Sequence, residues 1–201
     1  ARTGRSRPTT MRPTLICRPN LTPEMLGINP DSVELVHRDL PTLRDLVLID
    51  CPDPDTTEQE NPDPSLPPDP TALSRPQADG NLGRLRAVLP HCDVLLVTAT
   101  QQKYRSARVS EELDAASRGA FLLYVQTHAD LEDDIRDDWR RVLHAENRRV
   151  SRIFRVDSVQ ALADLQAGVQ PRADFAELLD CLTHRMTGVA GHRIRRANFL
   201  D

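Results

Sequence analysis

Short apolar runs alternate along this chain with segments in which apolar residues recur at helical spacing. The apolar runs predict strands, because a strand covered on both faces reads as a continuous apolar stretch. The predicted strands are 14–18 (TLICR), 43–50 (LRDLVLID), 92–99 (CDVLLVTA), 120–127 (AFLLYVQT) and 150–158 (VSRIFRVDS). Residues 33–40 (VELVHRDL) fit either a further strand or a short connector.

Helical spacing of apolar residues predicts amphipathic helices between these strands. The predicted helices are 81–90, 106–119 and 131–146, and two more follow residue 158. Strands that alternate with helices favour an α/β fold, with a mostly parallel sheet and helices on both faces. In such sheets ligands bind where the strands end, at their carboxyl edge. The sequence therefore predicts a site among the residues that follow the strands.

Composition narrows the class of protein. The chain has 201 residues, which favours one domain, and its net charge of −4 argues against a general nucleic-acid binder. No apolar run reaches the ~20 residues of a membrane span. The four cysteines form no C-x-x-C pair, which is typical of free thiols in a reducing cytoplasm. Residues 51–79, rich in proline and acid, are expected to form a long mobile loop.

Polar side chains stand where the predicted strands end. Asp50 ends one strand, THAD (127–130) ends another, and VDS (156–158) ends the last. Two threonines, Thr9 and Thr10, stand ahead of the first strand. Three carboxylates close together, at Asp50, Asp53 and Asp55, require a nearby positive charge.

The order of these segments resembles that of P-loop GTPases of the bacterial dynamin-like and YfjP-like group, over about residues 5–160. LVLIDCPDPDT (46–56) resembles that family's DxxG motif, and RPTT (7–10) resembles its switch threonine segment. QQKYRSA (101–107) is similar to the run that follows the next strand there. THAD stands where the base-reading N/TKxD motif belongs, and VDS stands where the fifth motif belongs.

The resemblance implies a three-layer α/β sandwich that binds GTP or GDP with Mg²⁺ and hydrolyses GTP. It implies that Thr10 and Asp50 are the metal ligands and the catalytic residues. Thr127, His128, Asp130 and Ser158 would bind the guanine base. Other roles remain open from the residues themselves: Asp130 or Ser158 as a helix N-cap, and His128 as a solvent-facing loop residue.

The resemblance also implies a cytoplasmic protein, with the inner membrane as a place of peripheral association. The expected partner is a guanine nucleotide, and a homodimer is among the expected assemblies. Nucleic acid is not an expected partner. Any membrane contact would come through regions outside this chain.

The sequence departs from the family pattern at three points. It contains no GxxxxGK[ST] phosphate loop, so we expect a domain over residues 1–190 that is truncated at its N-terminus. The missing strand would lie between the strands ending at Asp50 and Val97. Residues 191–201 would begin a downstream helical region, and the chain alone would be inactive and bind nucleotide weakly.

The other two departures concern single residues. Asp53 replaces the DxxG glycine and is followed by Pro54, which has no N–H, and His128 replaces the lysine of the base motif. These changes favour an alternative, a nucleotide-free pseudo-GTPase that acts as an interaction module. A third interpretation is a phosphatase or receiver-type domain that uses Asp50 and Asp53.

Overall fold

The computed structural model describes residues 12–53, 81–106, 120–148 and 150–185. Thr10, residues 54–79 of the acidic loop, most of the predicted helix at 106–119 and the segment 191–201 lie outside the described residues. The described residues belong to two compact units. The first contains 12–53 and 81–91, and the second contains 92–106, 120–148 and 150–185.

The first unit contains a three-stranded sheet and one α-helix. Its strands are β1 (Thr14–Cys17), β2 (Glu34–His37) and β3 (Leu48–Asp50), and its helix α1 (Asn81–Val88) continues into a 3₁₀ turn at Leu89–His91. The strand order is β2-β1-β3, with β1 parallel to β2 and antiparallel to β3. Further 3₁₀ turns are found at Glu24–Leu26, Pro30–Ser32 and Pro41–Leu43. Residues 33–40 thus contain a strand rather than only a connector.

The core of the first unit forms around the central strand β1. Leu15 and Cys17 of β1 are fully buried and pack with Ile28, Val33 and Val88. By contrast, β3 has three residues, of which Leu48 is exposed. The prediction of a strand covered on both faces at 43–50 is therefore wrong for β3, because its other two residues, Ile49 and Asp50, are only half-buried.

The second unit contains a parallel three-stranded sheet with helices. Its strands are β4 (Val94–Ala99), β5 (Phe121–Gln126) and β6 (Ile153–Arg155), in the order β4-β5-β6 with both pairs parallel. Its helices are α2 (Arg136–Ala145), α3 (Ser158–Gln166) and α4 (Ala173–Asp180), and α4 continues into a π-helical turn at Cys181–Arg185. The α/β class predicted from the sequence is confirmed at this level.

One face of β5 and β6 packs against α4. The buried residues of this cluster are Leu123, Val125, Phe154, Val156, Leu178 and Cys181. Trp139 of α2 is buried and meets the ring of Tyr124 edge-on, with ring centroids 5.6 Å apart. The prediction that this helix begins at residue 131 is wrong, because residues 127–135 form a loop and α2 begins at Arg136.

Helix α3 turns an apolar stripe to solvent. Val159 is 75% exposed, and Leu162 and Leu165, which follow at intervals of three residues, are also exposed. Within residues 158–170 the one charged residue is Asp164, which is buried. None of the described helices is both long enough and apolar enough to cross a membrane.

Candidate functional site

The loops that follow β4, β5 and β6 are joined to one another by backbone hydrogen bonds. The N–H of Thr127 donates to the carbonyl of Ala99 at 3.0 Å, and the N–H of Ala129 donates to the carbonyl of Val156 at 3.2 Å. Because all three strands are parallel, their carboxyl ends meet at one edge of the sheet. The structure therefore brings the predicted segments 127–130 and 156–158 together.

A buried amide anchors the loop after β5. Gln126 is 0% exposed; its Nε2 donates to the carbonyl of Asp133 at 2.6 Å, and its Oε1 accepts from the N–H of Ile135 at 3.2 Å. Both polar atoms of the amide are thus satisfied, as burial requires. No sequence motif pointed to Gln126, although a lone polar residue at the end of the run FLLYVQ was a usable signal.

Thr127 and His128 open this loop. The Thr127 hydroxyl lies 3.0 Å from Nδ1 of His128, and the His128 imidazole is exposed. His128 has a φ of 57°, in the left-handed region that non-glycine residues adopt at a cost. This backbone turn fixes the direction in which the chain leaves β5.

Asp130 stands in the same loop with an exposed carboxylate. It forms no hydrogen bond and no ion pair with any other residue that the structure describes. The interpretation of Asp130 as a helix N-cap is wrong, because α2 begins at Arg136 and Ile135 occupies its N-cap position. Asp130 therefore keeps its full capacity to accept hydrogen bonds.

Ser158 is the first residue of α3 and is exposed. The N-cap of this helix is Asp157, whose carboxylate accepts from the N–H of Gln160 at 2.8 Å. The interpretation of Ser158 as the N-cap is therefore wrong. Its backbone N–H belongs to the first turn of a helix, where N–H groups have no partner within the helix.

An arginine of β6 stabilises the loop after β5 through hydrogen bonds to its backbone. Nη2 of Arg155 donates to the carbonyl oxygens of Ala129 and Glu132, at 2.6 Å and 2.7 Å. The backbone N–H of Arg155 donates to Asp174, whose carboxylate also pairs with Arg136 at 3.3 Å. This network holds the loop against β6 and the start of α4, and no sequence motif pointed to it.

The loop after β4 is fixed to α2 through Asp138. The Tyr104 hydroxyl donates to Asp138 at 2.6 Å, and Arg105 and Arg141 pair with it at 2.5 Å and 2.9 Å. These contacts, with the hydrogen bond from Arg105 as the largest cause, lower the pKa of Asp138. The same carboxylate raises the pKa of Tyr104, because the phenol donates its proton to it. Residues 101–106, the described part of the segment that the sequence singled out at 101–107, are thus held at this edge of the sheet through Tyr104 and Arg105.

Asp134 shares the loop after β5 and forms an ion pair. Arg136 donates to its carboxylate at 2.6 Å, and this hydrogen bond lowers the pKa of Asp134 to about 2. Asp134 is therefore ionised under all ordinary conditions. Asp134 is thus paired, whereas Asp130, four residues earlier, has no partner among the described residues.

The predicted metal residues belong to the first unit. Asp50 is the last residue of β3, is half-buried and lies opposite Thr14 in the sheet register. Asp53 is also half-buried, and Thr10 lies outside the described residues. Within the described ranges, no three His, Cys, Asp or Glu side chains come together to hold a metal ion. A metal ion at Asp50 would therefore need ligands other than a described cluster of three such side chains.

A cavity of about 480 Å³ lies beside the joined loops. Its lining includes Ala129 and Asp157, but it includes none of the four predicted base-contacting residues, Thr127, His128, Asp130 and Ser158. The predicted base site and this cavity are therefore neighbouring but separate features of the second unit.

Comparison of the chain with protein-family models, with curated proteins and with solved structures gives no match. The site must therefore be interpreted from its own residues.

Proposed function

We propose that this chain is the guanine-recognising part of a GTP-binding and GTP-hydrolysing domain of the bacterial dynamin-like and YfjP-like group. The proposal rests on the motif resemblance together with one observation. Asp130 carries an exposed carboxylate without a partner among the described residues, in a loop that is hydrogen-bonded to the carboxyl ends of both neighbouring strands. Exposed acids elsewhere in this loop, such as Asp134, are paired.

The chemistry of guanine suits this arrangement. A carboxylate can accept from the ring N–H and the exocyclic amino group of guanine at once, whereas adenine lacks this pair of donors on one edge. The N–H of Ser158, free in the first turn of α3, would donate to the purine carbonyl oxygen. His128, exposed beside Asp130, would lie along the ring where the family pattern has a lysine stem.

The strand order of the two sheets is a second observation in support of the proposal. The resemblance predicts an additional strand beside β3 and beside β4. Among the described strands, β3 pairs only with β1, and β4 pairs only with β5. Each strand therefore has one edge to which a further strand can hydrogen-bond.

The proposed metal site uses Asp50 and, by the resemblance, Thr10. A carboxylate at a strand end and a threonine hydroxyl are both oxygen ligands of the type that Mg²⁺ prefers. Bound there, Mg²⁺ would neutralise charge on the outer phosphates. Asp53 and Pro54 stand where the family pattern supplies an N–H to the outer phosphate, so this chain offers one fewer such donor after Asp53.

Weak binding follows from the proposal. The sequence contains no GxxxxGK[ST], whose backbone N–H groups wrap the phosphates, so base contacts must supply most of the affinity of this chain. We expect dissociation constants of about 1 mM or weaker, corresponding to roughly 4 kcal/mol.

The test is a comparison of nucleotides by NMR on the isotopically labelled chain. GDP, ADP and xanthosine diphosphate are titrated to millimolar concentration, and the amide shifts of Thr127, His128 and Asp130 are followed. We expect GDP to shift these amides more strongly than ADP. In Asp130→Asn the preference should pass from GDP to the xanthosine nucleotide, because the asparagine amide can donate to the additional xanthine carbonyl.

Asp137→Asn is the matched control, because Asp137 is an acid of α2 with a side chain that is 93% exposed. This variant should keep the preference for GDP. A general loss of fold would weaken all three nucleotides together and could not exchange one preference for another. Equal shifts with GDP and ADP, or binding at micromolar concentration that Asp130→Asn leaves unchanged, would contradict the proposal. The absence of a shift with all three nucleotides would contradict it as well and would favour the nucleotide-free interaction module.

A further inference from the structure

Asp130 lies in the middle of a tight turn formed by residues 128–132. The N–H groups of Leu131 and Glu132 both donate to the carbonyl of His128, each at 3.0 Å. These two hydrogen bonds close the turn on itself, so its backbone moves as one piece. The direction in which the turn presents the Asp130 carboxylate therefore depends on how the whole turn is held against the sheet.

Three hydrogen bonds join the turn to β6 and to the residue that follows it. The N–H of Ala129 donates to the carbonyl of Val156 at 3.2 Å. Nη2 of Arg155 donates to the carbonyl of Ala129 at 2.6 Å and to that of Glu132 at 2.7 Å. These two carbonyls belong to the residue directly before Asp130 and to the second residue after it. One guanidinium nitrogen thus fixes the backbone on both sides of Asp130.

The Arg155 guanidinium is itself held inside the protein. Its side chain is half-buried, and its Nε is shielded from solvent. The backbone N–H of Arg155 donates to Asp174 at 2.7 Å, and Asp174 pairs in turn with Arg136 at 3.3 Å and Arg152 at 2.9 Å. Hydrogen bonds from a charged donor are strong, and poor solvent access strengthens them further. The protein therefore sets the position of the guanidinium before any ligand is present.

From this geometry we infer that Arg155 is the positioning residue on which the preference of Asp130 for guanine depends. The inference rests on the proposed recognition of guanine by Asp130. Arg155 does not contact the base, and it acts through the main chain of Ala129 and Glu132. A carboxylate that accepts from two guanine donors at once must be placed to within roughly 0.5 Å.

The loss of Arg155 would leave the Asp130 carboxylate chemically intact but less precisely placed. A misplaced carboxylate accepts from one donor at a time. Adenine also offers one donor, its exocyclic amino group, so a single hydrogen bond distinguishes the two bases poorly. Arg155 thus contributes to selectivity rather than to the presence of an acceptor.

The test measures the ratio of the dissociation constants of ADP and GDP by NMR titration of the full chain. We expect Arg155→Met, which keeps the stem and removes every donor, to lower this ratio at least about threefold. A purely structural role would not change the ratio, because an unfolded fraction weakens both nucleotides by the same factor. The ratio therefore reports on the position of Asp130 rather than on stability.

A milder variant and a matched control accompany this measurement. Arg155→Lys keeps the charge, but its amine is one bond shorter than Nη2 can reach, so the ratio should fall by a smaller factor. If Arg155→Met does not fold, Arg155→Lys decides alone. The control is Arg140→Met, because Arg140 is a partly exposed arginine of α2 that pairs with Asp137. This variant should keep the wild-type ratio.

A second measurement needs no nucleotide. Hydrogen exchange follows the amides of Leu131 and Glu132, whose hydrogen bonds close the turn. We expect Arg155→Met to accelerate their exchange at least about tenfold relative to the amide of Val125 in β5, which is buried in the sheet. Arg140→Met should leave this relative exchange unchanged.

Two results would overturn the inference. The first is a wild-type preference for GDP that both Arg155 variants keep. The second is unchanged exchange of Leu131 and Glu132 in Arg155→Met. A wild-type chain that binds GDP and ADP equally is a different outcome: it contradicts the recognition of guanine by Asp130, and the role of Arg155 in selectivity falls with it.

Discussion

The two three-stranded sheets differ in how well their strands are covered. In the first unit, β2 and β3 are exposed or half-buried along most of their length, and burial concentrates in β1. In the second unit, the last four residues of β5 are all buried, and Ile153 and Phe154 of β6 are buried as well. The candidate base-recognition loops follow the better-covered strands. A loop that follows buried strands starts from fixed positions, which is what a recognition site needs.

The largest expected effect comes from truncating one almost fully buried aliphatic side chain in each unit. Leu15 is 0% exposed in the first unit, and Ile153 is 1% exposed in the second. Leu15→Ala and Ile153→Ala should each lower the free energy of unfolding by about 3 kcal/mol, because each leaves a cavity as well as losing buried apolar surface. The measurement is urea unfolding followed by hydrogen exchange of individual amides.

Hydrogen exchange separates two outcomes of this experiment. If the sheets are independent in stability, Leu15→Ala accelerates exchange in β1 and leaves the amides of Val125 and Phe154 protected, and Ile153→Ala does the reverse. Equal acceleration of exchange throughout in both variants would mean that the two units unfold as one. The two sheets would then not differ in their free energy of unfolding.

A smaller effect is expected from the buried amide of β5. Gln126→Met keeps the size of the side chain but leaves the N–H of Ile135 and the carbonyl of Asp133 without their partner. We expect a loss of about 2 kcal/mol in the free energy of unfolding, because buried polar groups without a partner are costly. Gln102→Met, at an exposed position, is the control and should cost less than about 0.5 kcal/mol. An equal cost for the two variants would argue against the anchoring role of Gln126.

The smallest expected effect concerns acid pH. The pKa of Asp134 is about 2 in the folded protein, below the ordinary value of 3.8, because Arg136 donates to its carboxylate. Because this pKa is lower in the folded than in the unfolded protein, the ionised carboxylate stabilises the folded state. The stabilisation is complete when the pH is above the pKa of the unfolded protein, and it is lost as the pH falls from about 4 to 2. Asp134→Asn should therefore reduce the melting temperature slightly at pH 7 and leave it nearly unchanged at pH 2. The difference should stay small, because the pair is partly exposed. A difference that is equal at both pH values would exclude the ion pair as its cause.

The sequence predicted β4 and β5 to within two residues, because runs such as VLLVTA and FLLYVQ are almost entirely apolar. It made β6 too long, since it predicted a strand over 150–158 and the strand spans Ile153–Arg155. It placed the start of α2 wrongly, since Leu131 and Ile135 fall at helical spacing although they lie in a loop. The spacing of apolar residues could not reveal that the Gln126 side chain hydrogen-bonds to two backbone groups of that loop. The helix therefore begins only after the segment anchored by the amide.

The candidate site was predictable in part. The edge of the sheet followed from the strand order, and Thr127, His128, Asp130 and Ser158 do stand at that edge. The supporting arginine of β6 and the burial of Asp164 were not predictable. Their roles depend on residues distant in sequence, such as the 26 positions that separate Arg155 from Ala129. A polar residue in a helix normally indicates the solvent side, so the burial of Asp164 could be recognised only from the fold.

The exposed face of α3 has a consequence for the behaviour of the protein in solution. Mutual repulsion between molecules depends on surface charge, and this helix contributes none, since the one charged residue within 158–170 is buried. The chain reaches zero net charge near its isoelectric point of about 5.9. At that pH the apolar stripe of Val159, Leu162 and Leu165 meets no long-range repulsion, so colloidal stability should be lowest in mildly acidic buffers.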